Sequence, residues 1–229
     1  MELLKVDIKD KSFDRTVFIN VNIIFEQNKI YGLVGLNGSG KTTLINLILG
    51  LDKNYTGTIE YLSIDIKNDI FFISSEFYIP EYLTGYEYAK YLHELKDKQF
   101  DETLFRQLCE LFDIHNDTSK LISTYSYGMK KKIQFITGML LDCKLYIFDE
   151  LTSGLDIETI LLIEYFLSLK KASYIISSHE IDFIQKICDK VLLINNNTIS
   201  FIEDLNNVRN ELIILSKVED KYEKIKNII

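Results

Sequence analysis

An α/β fold built on a mostly parallel sheet is predicted by three features of this chain. Short apolar runs rich in β-forming residues alternate with longer stretches whose apolar residues recur at helical spacing. A glycine-rich segment near residue 40 joins one such run to one such stretch. Punctuation is sparse, with the single proline Pro80 and no Gly/Ser linker, low-complexity tract or internal repeat. Strands joined through helices of this length pair in parallel and are covered on both faces.

Taken in order, LLKVDI at 3–8 and VFINVNIIF at 17–25 read as strands, and IYGLV at 30–34 as a short buried strand running into the glycine-rich loop and an apolar helix. Two more strands fall near 57–62 and 70–74. From about Tyr86 to Leu141 the pattern turns helical, as in YEYAKYLHEL and TLFRQLCELF, and reads as an insert. Alternation then returns: strand KLYIF at 144–148, a helix over 157–169, strand SYIIS at 173–177, a helix from Glu180 and strand KVLLI at 190–194. A charged helical tail follows Asp204.

With 229 residues and 47% hydrophobic content the chain can bury a full core, and one compact unit is the simplest arrangement. Lys plus Arg total 26 against 34 Asp plus Glu, a net charge of -8 that disfavours a nucleic-acid surface, so no nucleic-acid partner is expected. Cys109, Cys143 and Cys188 are odd in number and lack metal-ligand spacing, and they read as reduced core thiols. No N-terminal stretch has a signal-peptide layout. The apolar run ILLIEYFLSL at 160–169 is interrupted by charge and too short to span a bilayer, so a membrane role would run through a partner.

The strongest motif is GLNGSGKT at 35–42, which fits G-x-x-x-x-G-K-[ST] between a predicted strand and a predicted helix. Its glycines let backbone N–H groups converge on phosphates, and the helix N-terminus adds partial positive charge. Gly35, Asn37, Gly38, Ser39, Gly40, Lys41, Thr42 and Thr43 form the expected phosphate-binding set, with Lys41 on the outer phosphates and the Thr42 hydroxyl available to Mg²⁺; a kinase, a GTPase, a helicase or a transporter could each carry it. A second motif, LYIFDELTSGLD at 145–156, ends a buried strand in two carboxylates. Asp149 can hold the water shell of Mg²⁺, and Glu150 is placed to accept a proton from attacking water.

Together with Ser126-Tyr127-Gly128, the SGLD turn at 153–156 and SSHE at 177–180, this order of motifs resembles the ATP-binding subunits of ATP-binding-cassette transporters, from about Leu3 to Phe201. The family signature LSGGQ is here YSYGM at 125–129, which keeps Ser126 and Gly128. The resemblance implies a P-loop NTPase core with a mostly parallel sheet, an N-terminal antiparallel β subdomain and an inserted α-helical subdomain over about 77–141. The whole of 1–229 is then one ATP-binding domain, with a short helical tail over about 204–229. It implies ATP hydrolysis with Mg²⁺, and pairing with a second ATP-binding subunit, identical or paralogous. In such a pair Ser126 and Gly128 of one chain cap the γ-phosphate of ATP held by the other. It makes ATP the ligand of the loop residues Gly35 and Asn37 to Thr43, a set that Asp156 joins, and gives His179 contact with the γ-phosphate and the attacking water; His93 and His115 receive no role.

For the adenine, the resemblance points to an aromatic residue in the turn KDKSFDR at 9–15, where Phe13 is the candidate. After the strand near 70–74 the family carries a Mg²⁺-binding glutamine, and this chain reads FFISSEF at 71–77. Spacing from YLTG places the position on Ser75, while Glu76 has the reach and the metal affinity, and Glu76 is taken as the ligand. The expected function is an ATPase subunit driving a separate transmembrane permease from the cytoplasmic face of the membrane. The GMKKK and YLTGYEY segments look like bacterial exporters of peptides, drugs or lipid-like cargo. The alternatives are a soluble cassette ATPase with a non-membrane partner and a nucleotide switch without hydrolysis; Glu150 and His179 argue against the second.

Overall fold

The computed structural model describes residues 1–76, 78–169 and 172–216. In chain order the elements are β1 (Glu2–Ser12), β2 (Thr16–Glu26), β3 (Ile30–Val34), α1 (Lys41–Ile48), β4 (Thr56–Tyr61), α2 (Ile66–Asp69) and β5 (Ile70–Ile73). They continue with α3 (Gly85–Leu95), α4 (Glu102–Leu111), α5 (Tyr127–Leu140), β6 (Leu145–Phe148), α6 (Ile157–Leu169) and β7 (Ser173–Ser177). The last are α7 (Ile181–Ile187), β8 (Lys190–Asn195), β9 (Thr198–Ile202) and α8 (Val208–Ser216). Two compact units emerge, one of residues 1–62 with the segment from Ser177 onward, the other Ser63–Ile176.

In the first unit, β1 pairs antiparallel with β2 on one side and β4 on the other. Alternation sets the register. Val6 lies opposite Ile23 and Ile8 opposite Val21, all four buried, while Ile19 and Ile24 face out. The hairpin runs longer than the apolar runs indicate, so residues 13–15 form its tip. Strand β3 pairs in parallel with β8, and β9 returns antiparallel to β8. The sequence reading contains no β9. Its signal was the Asn195-Asn196-Asn197 run, in which Asn196 and Asn197 adopt φ of 47° and 64°, as a tight hairpin turn demands.

In the second unit, β5, β6 and β7 pair in parallel. Every residue of β6 and β7 is buried, as expected of strands covered on both faces. Tyr146 stacks on Tyr174 with ring centroids 5.2 Å apart, and Phe135 of α5 lies 6.0 Å from Phe148. A capping box at Thr84 and Glu87 starts α3, and Asp101 caps α4. Helices α3, α4 and α5 fall inside the expected insert; residue 77, at its start, lies outside the described residues. Of the expected tail, α8 is described and 217–229 lie outside the described residues. Cys109, Cys143 and Cys188 are all buried. Burial pushes the Cys109 thiol up to about 12, as befits an inert core residue. No helix of the described residues is long and apolar enough to cross a membrane.

Candidate active site

In the first unit, the loop from Gly35 to Gly40 leads from β3 into α1. Gly40 caps the helix at φ 112°, and a Cβ there would stand 2.9 Å from Phe18 and Val17, so only glycine satisfies both the turn and the packing. The first turn of α1 holds no acidic residue, which leaves its positive end open to an anion. The Lys41 ammonium folds back and donates to the Gly35 carbonyl at 2.9 Å. Ser39 Oγ is buried without a hydrogen-bond partner, an orphan that a phosphate oxygen would satisfy. His179 follows β7 and lines, with Gly35 and Asn37, an open cavity of about 390 Å³ to which α8 contributes Arg209 and Leu212.

The β1–β2 tip presents Phe13, 61% exposed, with the Lys11 ammonium 4.0 Å from its ring centroid. Lys11 is itself fully buried, paired with Asp52 at 2.7 Å and donating to the Asn54 carbonyl at 2.8 Å. Arg15, on the same tip, reaches the Gly38 carbonyl at 3.5 Å. Sequence reading gave Arg15 no role, although it stands two residues from Phe13.

In the second unit, Asp149 is 1% exposed at the end of β6, and its N–H donates to the Ile73 carbonyl at 2.8 Å. The Ser75 hydroxyl donates to Asp149 Oδ2 at 3.3 Å. Glu76 points elsewhere: it is exposed, and its carboxylate accepts from the Tyr78 hydroxyl at 3.0 Å. Of the two candidate loop ligands, Ser75 is thus the one that contacts the Asp149 carboxylate. Glu150 follows Asp149 at φ 56°, a region that side-chain-bearing residues occupy sparsely.

Ser126 caps α5, its Oγ accepting from the Met129 N–H at 3.2 Å, and the first turn again lacks acids. The start of this helix meets the turn after β6 at several points. A Cβ on Gly128 would stand 3.0 Å from the Gly154 carbonyl, and one on Gly154, at φ 74°, only 2.4 Å from the Tyr127 ring. Lys132 pairs with Asp156 at 3.4 Å, and Asp156 caps α6 by accepting from the Thr159 N–H at 2.8 Å. Thr159 first, and Lys132 after it, hold the Asp156 carboxyl below the usual carboxylate range. The Lys131 ammonium donates to the Glu150 carbonyl and, at 3.3 Å, to that of Leu151. Burial pushes this ammonium down to about 8, against the opposing pull of the Glu150 and Asp149 carboxylates.

A phosphate loop, an acidic strand end and a serine-capped signature helix in one chain are the parts of a cassette ATPase, and residues 18–153 match the ABC transporter family. The chain belongs to that family. Two curated relatives make the point from sequence. The ABC-type transporter ATP-binding protein EcsA of Bacillus subtilis is 31% identical, over 92% of this chain and 91% of that protein. The bacitracin transport ATP-binding protein BcrA of Enterococcus faecalis is 31% identical over 79% of this chain, which spans 62% of that longer protein. Among solved structures, an ATP-binding subunit of an ABC transporter aligns over 98% of this chain and 99% of its own with a TM-score of 0.80. At 22% identity that likeness speaks for the fold.

The protein is therefore an ATP-binding subunit of an ABC transporter, an ATPase with a P-loop NTPase core. Within its first unit the structure assembles Gly35, Asn37 and His179 about one cavity, and Lys41 across the loop mouth. Within the second it joins Asp149 to Ser75, and Gly128 and Asp156 to the turn after Glu150. Tyr127 and Lys131 escaped sequence reading, because YSYGMKKK looks like a signature followed by a solvated charge run.

Proposed function

We propose that this ABC ATPase works as one of two ATP-binding subunits beneath a separate transmembrane permease, at the cytoplasmic face of the membrane, exporting a peptide, drug or lipid-like cargo. The observation that carries this reading is the start of α5. Ser126 is exposed, its helix end is free of acids, and the phosphate it is built to meet belongs to a second copy or a paralogue. Docking to a permease is supported by a cavity of about 790 Å³ in the second unit, lined by Tyr86, Glu102, Phe105, Arg106 and His115 among others, with the aromatic and charged character of a protein-binding groove. The export assignment follows the likeness of the GMKKK segment to exporter signatures, and BcrA is named for bacitracin transport.

In the reaction, Lys41 and the loop amides hold the phosphates, Glu150 takes the proton of the attacking water, and His179 steadies the γ-phosphate. Magnesium suits the donors assigned to it, which are hard oxygens at Thr42 and Asp149, and when bound it neutralises phosphate charge. The decisive experiment places this chain with a candidate transmembrane permease in inside-out vesicles. ATP-dependent uptake of a labelled peptide or drug into the lumen is the expected result. Movement in the opposite sense only would overturn export, and a chain that fails to copurify with the permease would overturn the partnership.

A further inference from the structure

Three successive lysines open α5, and the structure gives them different work. Lys130 pairs with Glu81 at 2.5 Å and Lys132 with Asp156 at 3.4 Å, both surface carboxylates. Lys131, between them, is 1% exposed and carries its ammonium under the turn that follows β6, donating to the main-chain carbonyls of Glu150 and Leu151. A buried ammonium must satisfy its hydrogens, and bonds from a charged donor are about twice as strong as neutral ones. Here they fall on a backbone segment that needs holding, since Glu150 sits at φ 56°.

We propose that Lys131 is a positioning residue for catalysis: it clamps the backbone of Glu150 and thereby sets the aim of the Glu150 carboxylate from the signature helix. This rests on the reading of Glu150 as general base. The direction of a side chain follows from its backbone, and a displacement of about 1 Å at a reacting group can cost on the order of a hundredfold in rate. The clamp also gives the two motifs of the second unit a common lever. Lys131 stands one helical turn beyond Tyr127, with its ammonium 5.5 Å from that ring, and the Tyr127 hydroxyl reaches the Ser75 carbonyl at 3.4 Å. A phosphate that engages Ser126 and Gly128 therefore acts on a helix end bonded directly to the turn bearing Glu150.

The test is steady-state MgATP hydrolysis by the full-length dimer, comparing the parent with Lys131→Met, Lys131→Arg, Glu150→Gln and the double variant Glu150→Gln/Lys131→Met. Lys131→Met should lower kcat about tenfold or more with KM within about twofold, and Lys131→Arg, which keeps a charged donor, should recover part of the loss. On the Glu150→Gln background the Met substitution should add less than about a twofold loss, because the residue acts through Glu150. Met replaces the buried ammonium with apolar volume and is expected to fold; Lys131→Ala is the second truncation should it not. Parental kcat in the truncated variant, a loss confined to KM, or an equal loss on both backgrounds would each overturn the clamp. Parental hydrolysis by Glu150→Gln would instead overturn the general-base reading itself, so the two failures are distinguishable.

Discussion

The Ser75 hydroxyl donates to the Asp149 carboxylate at 3.3 Å, while the neighbouring Glu76 carboxylate is taken up by Tyr78. If Asp149 holds Mg²⁺ as proposed, a hydroxyl on its carboxylate both orients it and offers a further oxygen to the cation. Ser75→Ala is therefore expected to raise the Mg²⁺ concentration needed for half-maximal hydrolysis by about tenfold, within the range usual for lost outer-shell partners. Glu76→Ala should change it less than about twofold, as for an exposed charge. A magnesium titration of the two variants decides the matter, and the reverse ranking would return the role to Glu76.

Much of the fold was legible because its signals are local. GLNGSGKT carries its own spacing, and LYIF followed by two acids announces a buried strand with carboxylates at its end. What sequence could not give was anything decided by packing. In FFISSEF at 71–77 spacing points to Ser75 while side-chain reach and metal affinity favour Glu76, and only the path of the chain beside Asp149 separates them. In MKKK the middle lysine is indistinguishable from its neighbours until α5 buries one face. Strand β9 went unseen because TISFI is largely exposed and short, so its periodicity is weak.

Glu150→Gln keeps the shape of the side chain and removes the proposed base. Hydrolysis should fall about a hundredfold or more while ATP still binds, and the nucleotide-bound dimer should accumulate. Lys41→Ala removes the charge that lies across the loop mouth, so the loss should be in MgATP affinity. Calorimetric titration of both variants with MgATP, set beside their turnover, separates the two effects. Unchanged affinity in Lys41→Ala would demote that residue.

Phe13 rests on the Lys11 ammonium, and Lys11 is fixed in turn by Asp52. If the ring stacks on adenine, Phe13→Ala should cost about 1 kcal/mol or more, roughly fivefold in KM for ATP, with kcat little changed. Lys11→Met should reproduce part of this loss. The support has its own pH signature. The hydrogen bond from Lys11 holds the Asp52 carboxyl below its ordinary value, so its stabilisation is present above the unfolded-state value near about 4 and is lost as pH falls through the folded one. Urea midpoints of the parent and Asp52→Asn should therefore differ most near neutrality and converge in acid. A gap that stays constant through the acid range would sink the linkage.

Whether each site is shared between two chains can be read from mixtures. Ser126→Asp is the informative lesion, because aspartate caps a helix as well as serine does yet sets a negative charge where the γ-phosphate of the other chain is proposed to lie. Homodimers of Ser126→Asp and of Lys41→Ala should both be nearly inactive. In a mixed dimer one composite site receives both lesions and the other receives neither. With equal amounts and random pairing, half the dimers are mixed and each has one intact site of two, so recovery of about a quarter of the parental activity is expected if the sites turn over independently. Were each site built from a single chain, every site in the mixture would carry one lesion and no activity would return. Fluorescent labels on the two variants report pairing directly, so absence of activity despite mixed dimers would count against composite sites.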